Sequence, residues 1–393
     1  MLKQTSKKTI DNIKKNKIAY ISSYPPQECG IATFTKNLVV AANNLNILRK
    51  PLIVAMNEGE TIYNYDRRVK CQIRRNIPQD YANAADFVNS SKADLVNLQH
   101  EFGLFGGEWG EHINIFLEKI QKPVVTTLHT LSPSFIPKAQ SVLKQIAHHS
   151  QKIVTMTNTA TKILMAYDVP GSKIEIIQHG CPDVPFVESN KVKPSLFGLK
   201  GKLVLSTFGL ISRGKGIEYV IKALPEVVEK YPEIVYLIIG ETHPEVRKFE
   251  GERYRKKLIK LVDDLNLYEH VKFHNRFLLE RELIKYLQAT DIYVTPFLEP
   301  NQISSGTLVY AMGTGKAIIS TPYLHAQEAL AEGRGLLCKF RDHKSIAERI
   351  IQLLENEELR KNMQRKVYSY SRDFTWAVVA KRYAGLFRRM INS

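Results

Sequence analysis

Residues 202–224 read KLVLSTFGLISRGKGIEYVIKAL. A short β-rich apolar run passes through a loop with three glycines into a stretch whose apolar residues recur at helical spacing. An unbroken apolar run of this length reads as a parallel strand buried on both faces, and a strand that feeds straight into a helix opens a βαβ unit. The pattern repeats in both directions. Upstream, the runs at 17–23, 51–56, 93–99, 123–129, 152–157 and 173–180 alternate with helical segments, and downstream those at 234–240, 271–275, 291–296 and 317–322 do the same. The chain is therefore predicted to be α/β, two doubly wound Rossmann-like domains in series. The polar stretch FVESNKVKPSLFGLKGK at 186–202 carries Pro and Gly as a linker does. The boundary falls near residue 195. This gives a basic extension over 1–16, a first domain over 17–195, a second over 196–374 and a last helix within 375–393.

Composition narrows the function. A chain of 393 residues with 44% hydrophobic content builds substantial cores. No apolar run approaches the ~20 residues that span a bilayer, and MLKQTSKKTIDNIKKNK lacks the apolar segment of a secretory signal, so a cytoplasmic protein is expected. Cys29, Cys71, Cys181 and Cys338 are scattered, which argues against a zinc site and a disulfide framework. The formal charge of +17 suits phosphates, anionic lipid or nucleic acid. No zinc-finger spacing, basic zipper or aromatic RNA-binding signature accompanies it, so nucleic acid is set aside, while peripheral contact with an anionic membrane is retained. There is no Asp-x-Asp, and Asp263 and Asp264 sit in a helical pattern, so no metal and no resident cofactor are expected.

Two doubly wound domains that face each other bring their strand ends to a shared cleft. In the 202–224 stretch, Gly209, Gly214 and Gly216 surround Arg213 and Lys215, a basic flexible loop that suits a diphosphate or serves as a solvated turn. In QISSGTLVYAMGTGK, 302–316, Ser304, Ser305, Gly306 and Thr307 precede an apolar helix, as a phosphate-holding helix start or a multiply capped core helix would. The first domain opens with SYPPQECGIATFTKNL, 23–38, where Gly30 allows a tight turn. His100 and Glu101 end a strand before Gly103, Gly106 and Gly107, which are expected to make the loop mobile. They face either the cleft or solvent. His179 ends another strand and either lines the cleft or packs at a hinge. Neither opening loop reads G-x-G-x-x-G with an acid ~20 residues on, which sets a Rossmann dehydrogenase aside.

Taken in order, QECGIATFTKNL, TLHT, GLISRGKGIEYVIKAL, ATDIYVTPF, YAMGTGKAIISTP and GRGLLCKFRDHKSIAERIIQLLENEELRKNM resemble the family 4 glycosyltransferases, over nearly the whole chain. The resemblance implies the GT-B fold, retention of anomeric configuration and a nucleoside diphosphate sugar as donor, with a slight preference for mannose and a glycan or lipid-linked acceptor. The terminal FTWAVVAKRYAGLF would be the helix that crosses back to the first domain. It further implies that Arg213 and Lys215 neutralise the diphosphate, that Ser305, Gly306 and Thr307 supply amide donors, that Gly30 lies beside the phosphates, and that His129 contacts the donor sugar. Tyr310 and Glu241 would lie near the ribose or base, and His100, Glu101 and His179 near sugar or acceptor. Three positions depart from the family. Its two glutamates, eight positions apart, fall on Gln302 and Tyr310, with Glu299 nearby as a stand-in, and Leu210 replaces a basic residue. Gln302 can hydrogen-bond a sugar but cannot oppose a developing positive charge. A noncatalytic binding subunit, a sugar-nucleotide epimerase and a phosphorylase of the same architecture are the alternatives.

Overall fold

The computed structural model describes residues 15–59, 61–196 and 198–393. The first domain holds a parallel sheet of β1 (Ile18–Ser22), β2 (Leu52–Asn57), β3 (Val69–Arg74), β4 (Leu95–His100), β5 (Val124–Leu128), β6 (Lys152–Thr155) and β7 (Ile174–Ile176), ordered β3-β2-β1-β4-β5-β6-β7. The second holds β8 (Leu203–Phe208), β9 (Ile234–Ile239), β10 (Val271–His274), β11 (Ile292–Thr295), β12 (Ala317–Ser320) and β13 (Leu336–Leu337), ordered β10-β9-β8-β11-β12-β13. Every apolar run singled out in the sequence forms a strand. Two edge strands were not anticipated. VKCQIR of β3 interleaves charged residues because one side is solvated, and β13 is too short to show a period.

Strand order reverses between β1 and β4 in the first sheet and between β8 and β11 in the second. In a doubly wound sheet the ligand crevice opens outside the carboxyl ends at such a reversal. The four strand ends that matter are thus Ser22, His100, Phe208 and Thr295.

The domains share a core. The helix Trp376–Asn392 returns to the first domain and buries Trp376, Val379, Tyr383, Leu386 and Phe387 against the helix Gly30–Asn44 and the edge of β4. Its Tyr383 hydroxyl bonds Thr127 at 2.9 Å. Glu328 reaches across to cap the helix Asn158–Ala166, accepting from the amides of Asn158 at 2.8 Å and Thr159 at 3.0 Å, where a carboxylate also meets the positive end of the helix dipole. Among the described residues no helix is long and apolar enough to cross a membrane. The lysine run of the N-terminal extension lies, up to residue 14, outside the described residues.

Candidate functional site

The second-domain wall of the crevice is shaped by close backbone contact. Gly209 and Gly240 end β8 and β9 with φ of +126° and +138°, and a methyl on Gly240 would stand 2.1 Å from the Gly209 carbonyl oxygen. Beyond the strands, Ile211 donates to Glu241 O at 2.7 Å and His243 to Ile211 O at 2.9 Å, so the two loops continue as a ladder. Gly216, at φ +63°, lets the chain turn against the Pro296 carbonyl, where a methyl would come within 2.1 Å. Held this way, Lys215 folds back with Nζ 3.8 Å from the centroid of the Phe297 ring. No hydrogen-bond or ion-pair partner reaches its ammonium among the described residues. Burial pushes it down to about 8, so it remains largely charged at neutral pH.

Opposite Lys215 starts the helix Gly306–Gly313. Ser305 caps it, its hydroxyl accepting from Leu308 N at 3.3 Å, while Ser305 N donates to His325 Nδ1 at 2.8 Å. The amides of Gly306 and Thr307, in the first turn, have no partner among the described residues. A methyl placed on Gly209 would lie 3.1 Å from Thr307 Cγ2 and 3.9 Å from Lys215 Nζ. Strand end, cation and helix start therefore converge on one small space. The other small residues have separate reasons. Gly306 makes room for the His179 ring, whose Nε2 a methyl would meet at 2.9 Å, and Ser304 contacts Met156 Sδ of the first domain at 3.1 Å.

Several sequence-based assignments change here. Arg213 is exposed, bonds Glu250 at 2.8 Å and lies over the Tyr254 ring at 5.9 Å. The loop accordingly presents one cation to the crevice, not two, because the helix Pro244–Glu250 supplies Arg213 with an acid on its outer side. His243, which was not singled out, stands close enough to Lys215 for the ammonium to lower its affinity for a proton, after burial. Tyr310 is buried, accepts from Asn37 at 2.6 Å and from Trp376 at 3.3 Å, and donates to Glu280 at 2.8 Å. It ties the two domains together and leaves nothing for a ribose. Glu299 is exposed and accepts from Asn301 N in its own turn, and Gln302 donates to Ser304 O at 2.8 Å, bracing the helix entrance. Glu241 sits at the rim, held by Arg247 at 3.0 Å.

The first-domain wall is different in kind. Cys29 caps the helix Gly30–Asn44, its sulfur 3.2 Å from Ala32 N and 2.9 Å from Ser23 Oγ, and Gly30 has open space around its Cα. His129 places its ring edge-on to Phe34 at 4.9 Å and Nε2 at 2.8 Å from Gln99 Oε1. Since the Gln99 amide nitrogen is given to Asn97, this oxygen accepts, Nε2 carries the proton, and Nδ1 is left as an acceptor. Burial, with His179 and His100 nearby, pushes His129 down to about 3. His100 is wholly buried, stacked on Phe105 and edged by Phe102, so its ring lies behind the surface. The Glu101 carboxyl is raised by burial and turned onto the Gly103 amide. His179 packs between Phe34 and Trp376 with Nδ1 on Gly180 O, in the joint between domains. The glycines after Glu101 are packed, not mobile: a methyl on Gly106 would meet the Arg75 carbonyl at 2.0 Å. At the mouth, Glu28 meets Glu241 and Glu58 meets Glu245, carboxyl to carboxyl across the domains, and these contacts hold Glu28 and Glu58 above the usual carboxylate range, with burial the larger cause for Glu28.

Residues 189–370 match the family model described as Glycosyl transferases group 1. An uncharacterized glycosyltransferase of Methanocaldococcus jannaschii is 27% identical over 262 residues, 64% of this chain and 62% of its own length. A phosphatidyl-myo-inositol mannosyltransferase of Mycolicibacterium smegmatis is 24% identical over 272 residues, 67% of this chain and 64% of its own. The matched stretches thus span a little under two thirds of these relatives. Among solved structures, Anabaena HepE in complex with UDP and glucose superposes with a TM-score of 0.75 at 15% identity, over 95% of this chain and 100% of that one. At that identity the likeness is one of fold, and the fold is GT-B.

Proposed function

We propose that this chain, whose residues 189–370 match the Glycosyl transferases group 1 model, belongs to that family and transfers a hexosyl unit from a nucleoside diphosphate sugar to a carbohydrate or lipid-linked acceptor with retention of configuration. The observation that carries the reading is the unpaired Lys215 ammonium facing the unpartnered amides of Gly306 and Thr307. As the bond from the anomeric carbon to the phosphate oxygen breaks, negative charge builds on the leaving diphosphate. Donors already aimed at that charge lower the barrier without having to reorganise. The His129 Nδ1 would accept a hydrogen bond from a hydroxyl of the donor sugar and fix its orientation. The departing phosphate oxygen takes the proton of the attacking acceptor hydroxyl, so this scheme needs no protein carboxylate. The name of the mycobacterial relative favours mannose, and the UDP and glucose of HepE agree with a nucleotide-bound hexose. The basic surface would keep the protein near anionic lipid when the acceptor is lipid-linked.

A second reading has its own observation. Glu299, Gln302 and Tyr310 are each committed to the protein's own groups, as in a subunit that binds nucleotide or glycan without turnover. One experiment separates the two. Melting is followed with UDP-, GDP- and ADP-sugars, where a ligand at 100 times its Kd stabilises by about 2.7 kcal/mol, and the same samples are assayed for release of nucleoside diphosphate. A shift with release supports transfer, and a shift with no release under any acceptor supports the binding subunit. No shift with any nucleotide removes the diphosphate site. Conversion of donor alone, or release of sugar phosphate with added phosphate, would instead indicate an epimerase or a phosphorylase.

A further inference from the structure

Behind the anion-accepting helix start, the short helix Leu324–Ala329 holds two parts of the molecule at once. Its entry is laid on the loop that leads to Ser305, Leu324 N donating to Pro300 O and His325 N to Gln302 O, each at 3.0 Å. The His325 side chain then takes the Ser305 amide on Nδ1 at 2.8 Å. Burial, with His179 nearby, pushes the imidazole down to about 4, so it is neutral at neutral pH and Nδ1 keeps the lone pair this bond requires. Three residues on, and so on the same face, Glu328 reaches the first domain. One carboxylate oxygen accepts from Asn158 N and Nδ2 at 2.8 and 2.9 Å, the other from Thr159 N and Oγ1, both at 3.0 Å. Arg334, buried and 4.1 Å from the centroid of the Tyr370 ring, closes the far end of the helix by donating to Ala329 O at 2.8 Å and Glu328 O at 3.3 Å.

These contacts close a ring. Met156, whose sulfur receives the Ser304 hydroxyl, stands two residues before Asn158 at the end of β6. One first-domain segment, 156–159, therefore touches both the loop into the helix start and the helix that grips that loop. The ring is filled: Met156, Thr157, His179, His325 and Glu328 line a cavity of about 20 Å³, room for about one water. Close-packed groups joined by hydrogen bonds move together, so a shift of the first domain against Glu328 is passed through His325 to Ser305, and with it to the Gly306 and Thr307 amides.

We propose that His325 and Glu328 are positioning residues for the anion site, coupling the docking of residues 156–159 to the aim of the Gly306 and Thr307 amides. This rests on the diphosphate reading and adds a control over that site: the diphosphate is held tightly only while the domains are joined along this seam. Binding of UDP, GDP and ADP to the intact protein is measured by calorimetry, and the diphosphate that binds most tightly is compared with its nucleoside, followed by saturation-transfer NMR. His325→Leu removes the acceptor, His325→Asn restores one at the place of Nδ1, and Glu328→Ala removes the cap on Asn158. His325→Leu and Glu328→Ala are each expected to weaken diphosphate binding about tenfold, with nucleoside binding and circular dichroism unchanged, while His325→Asn stays within about threefold of the parent. The double variant His325→Leu/Glu328→Ala should lose little more than either single one, because the second break falls in a ring already open. Should His325→Leu not fold, Glu328→Ala, at a half-buried position, carries the same comparison of diphosphate with nucleoside. Diphosphate and nucleoside weakened alike would make these side chains general supports of the fold, and losses that multiply in the double variant would leave them uncoupled. Either result overturns the proposal. A parent that binds no diphosphate sinks the transfer reading along with it, whereas a binding parent with parent-like variants sinks the coupling alone.

Discussion

Both domains open with a strand, a turn and a helix, yet the two turns present opposite chemistry to the crevice. After β8 the chain reaches Lys215 through glycines that allow backbone to lie on backbone, and the ammonium is left without an acid. After β1 the turn holds Pro25, Pro26 and Glu28, the helix is capped by a thiol, and the nearby histidines His100, His129 and His179 are kept neutral by burial. One topology thus makes an anion-accepting wall and a wall lined by neutral rings with acids at its mouth. Net charge does not produce this difference: the sequence holds 56 basic against 39 acidic side chains, and the contrast comes from where the Lys215 ammonium is placed at the strand reversal. The first way to break the comparison is Lys215→Ala. If the asymmetry is functional, kcat/KM for the donor falls about a hundredfold, ~3 kcal/mol of transition-state stabilisation, while thermal melting is unchanged or slightly raised. Unchanged turnover would remove Lys215 from the reaction.

Proton binding sharpens the same contrast. Lys215 is depressed to about 8, so its charge disappears as pH rises through that value, and kcat/KM of the free enzyme should fall about tenfold per pH unit above it. Stability should move the other way. Between about 8 and the ordinary lysine value near 10.4 the unfolded chain binds the proton that the folded chain has lost, so this lysine's destabilising effect is relieved as pH rises. The first-domain wall behaves oppositely. His129, held near 3, is neutral throughout the working range, and its contribution to stability is lost only as pH falls below the ordinary histidine value and towards 3. A pH–rate profile together with urea unfolding at pH 7 and 9.5 tests both signs. A flat alkaline limb in Lys215→Ala and a sloping one in the parent would assign the titration.

The contrast also explains what could be read in the sequence. Strand periodicity and glycine-rich turns are local, so the two sheets, the strand-end crevice and the position of Lys215 were legible in short windows. Side-chain destinations were not. Whether Arg213 turns inward depends on Glu250, thirty-seven residues away, and whether Tyr310 meets a ligand depends on Asn37, Glu280 and Trp376 from three other elements. The glycines of 103–107 misled in a related way. Glycine marks either freedom or crowding, and only the Arg75 carbonyl beside Gly106 decides for crowding. Cys29 as a helix cap lies outside the usual Ser, Thr, Asp and Asn preference, whereas Gly240 carries a local sign in the sequence, a strand run ending in glycine just as β8 does.

The smallest effect is expected where sequence and structure disagree most. Arg213 lies two residues from Lys215 in the same turn, yet its guanidinium is exposed and paired with Glu250 on the outside of the loop. A surface ion pair of this kind is screened by solvent and contributes little to folding. Arg213→Ala should therefore leave melting nearly unchanged and keep kcat/KM within about threefold of the parent, against about a hundredfold for its neighbour. Glu250→Gln should be equally mild. If instead Arg213→Ala matched Lys215→Ala, the turn would have to release Arg213 from Glu250 when the donor binds, and Glu250→Gln, by freeing the guanidinium beforehand, would then lower the donor KM. The pair of variants thus distinguishes a fixed one-cation wall from a turn that recruits its second cation on closure.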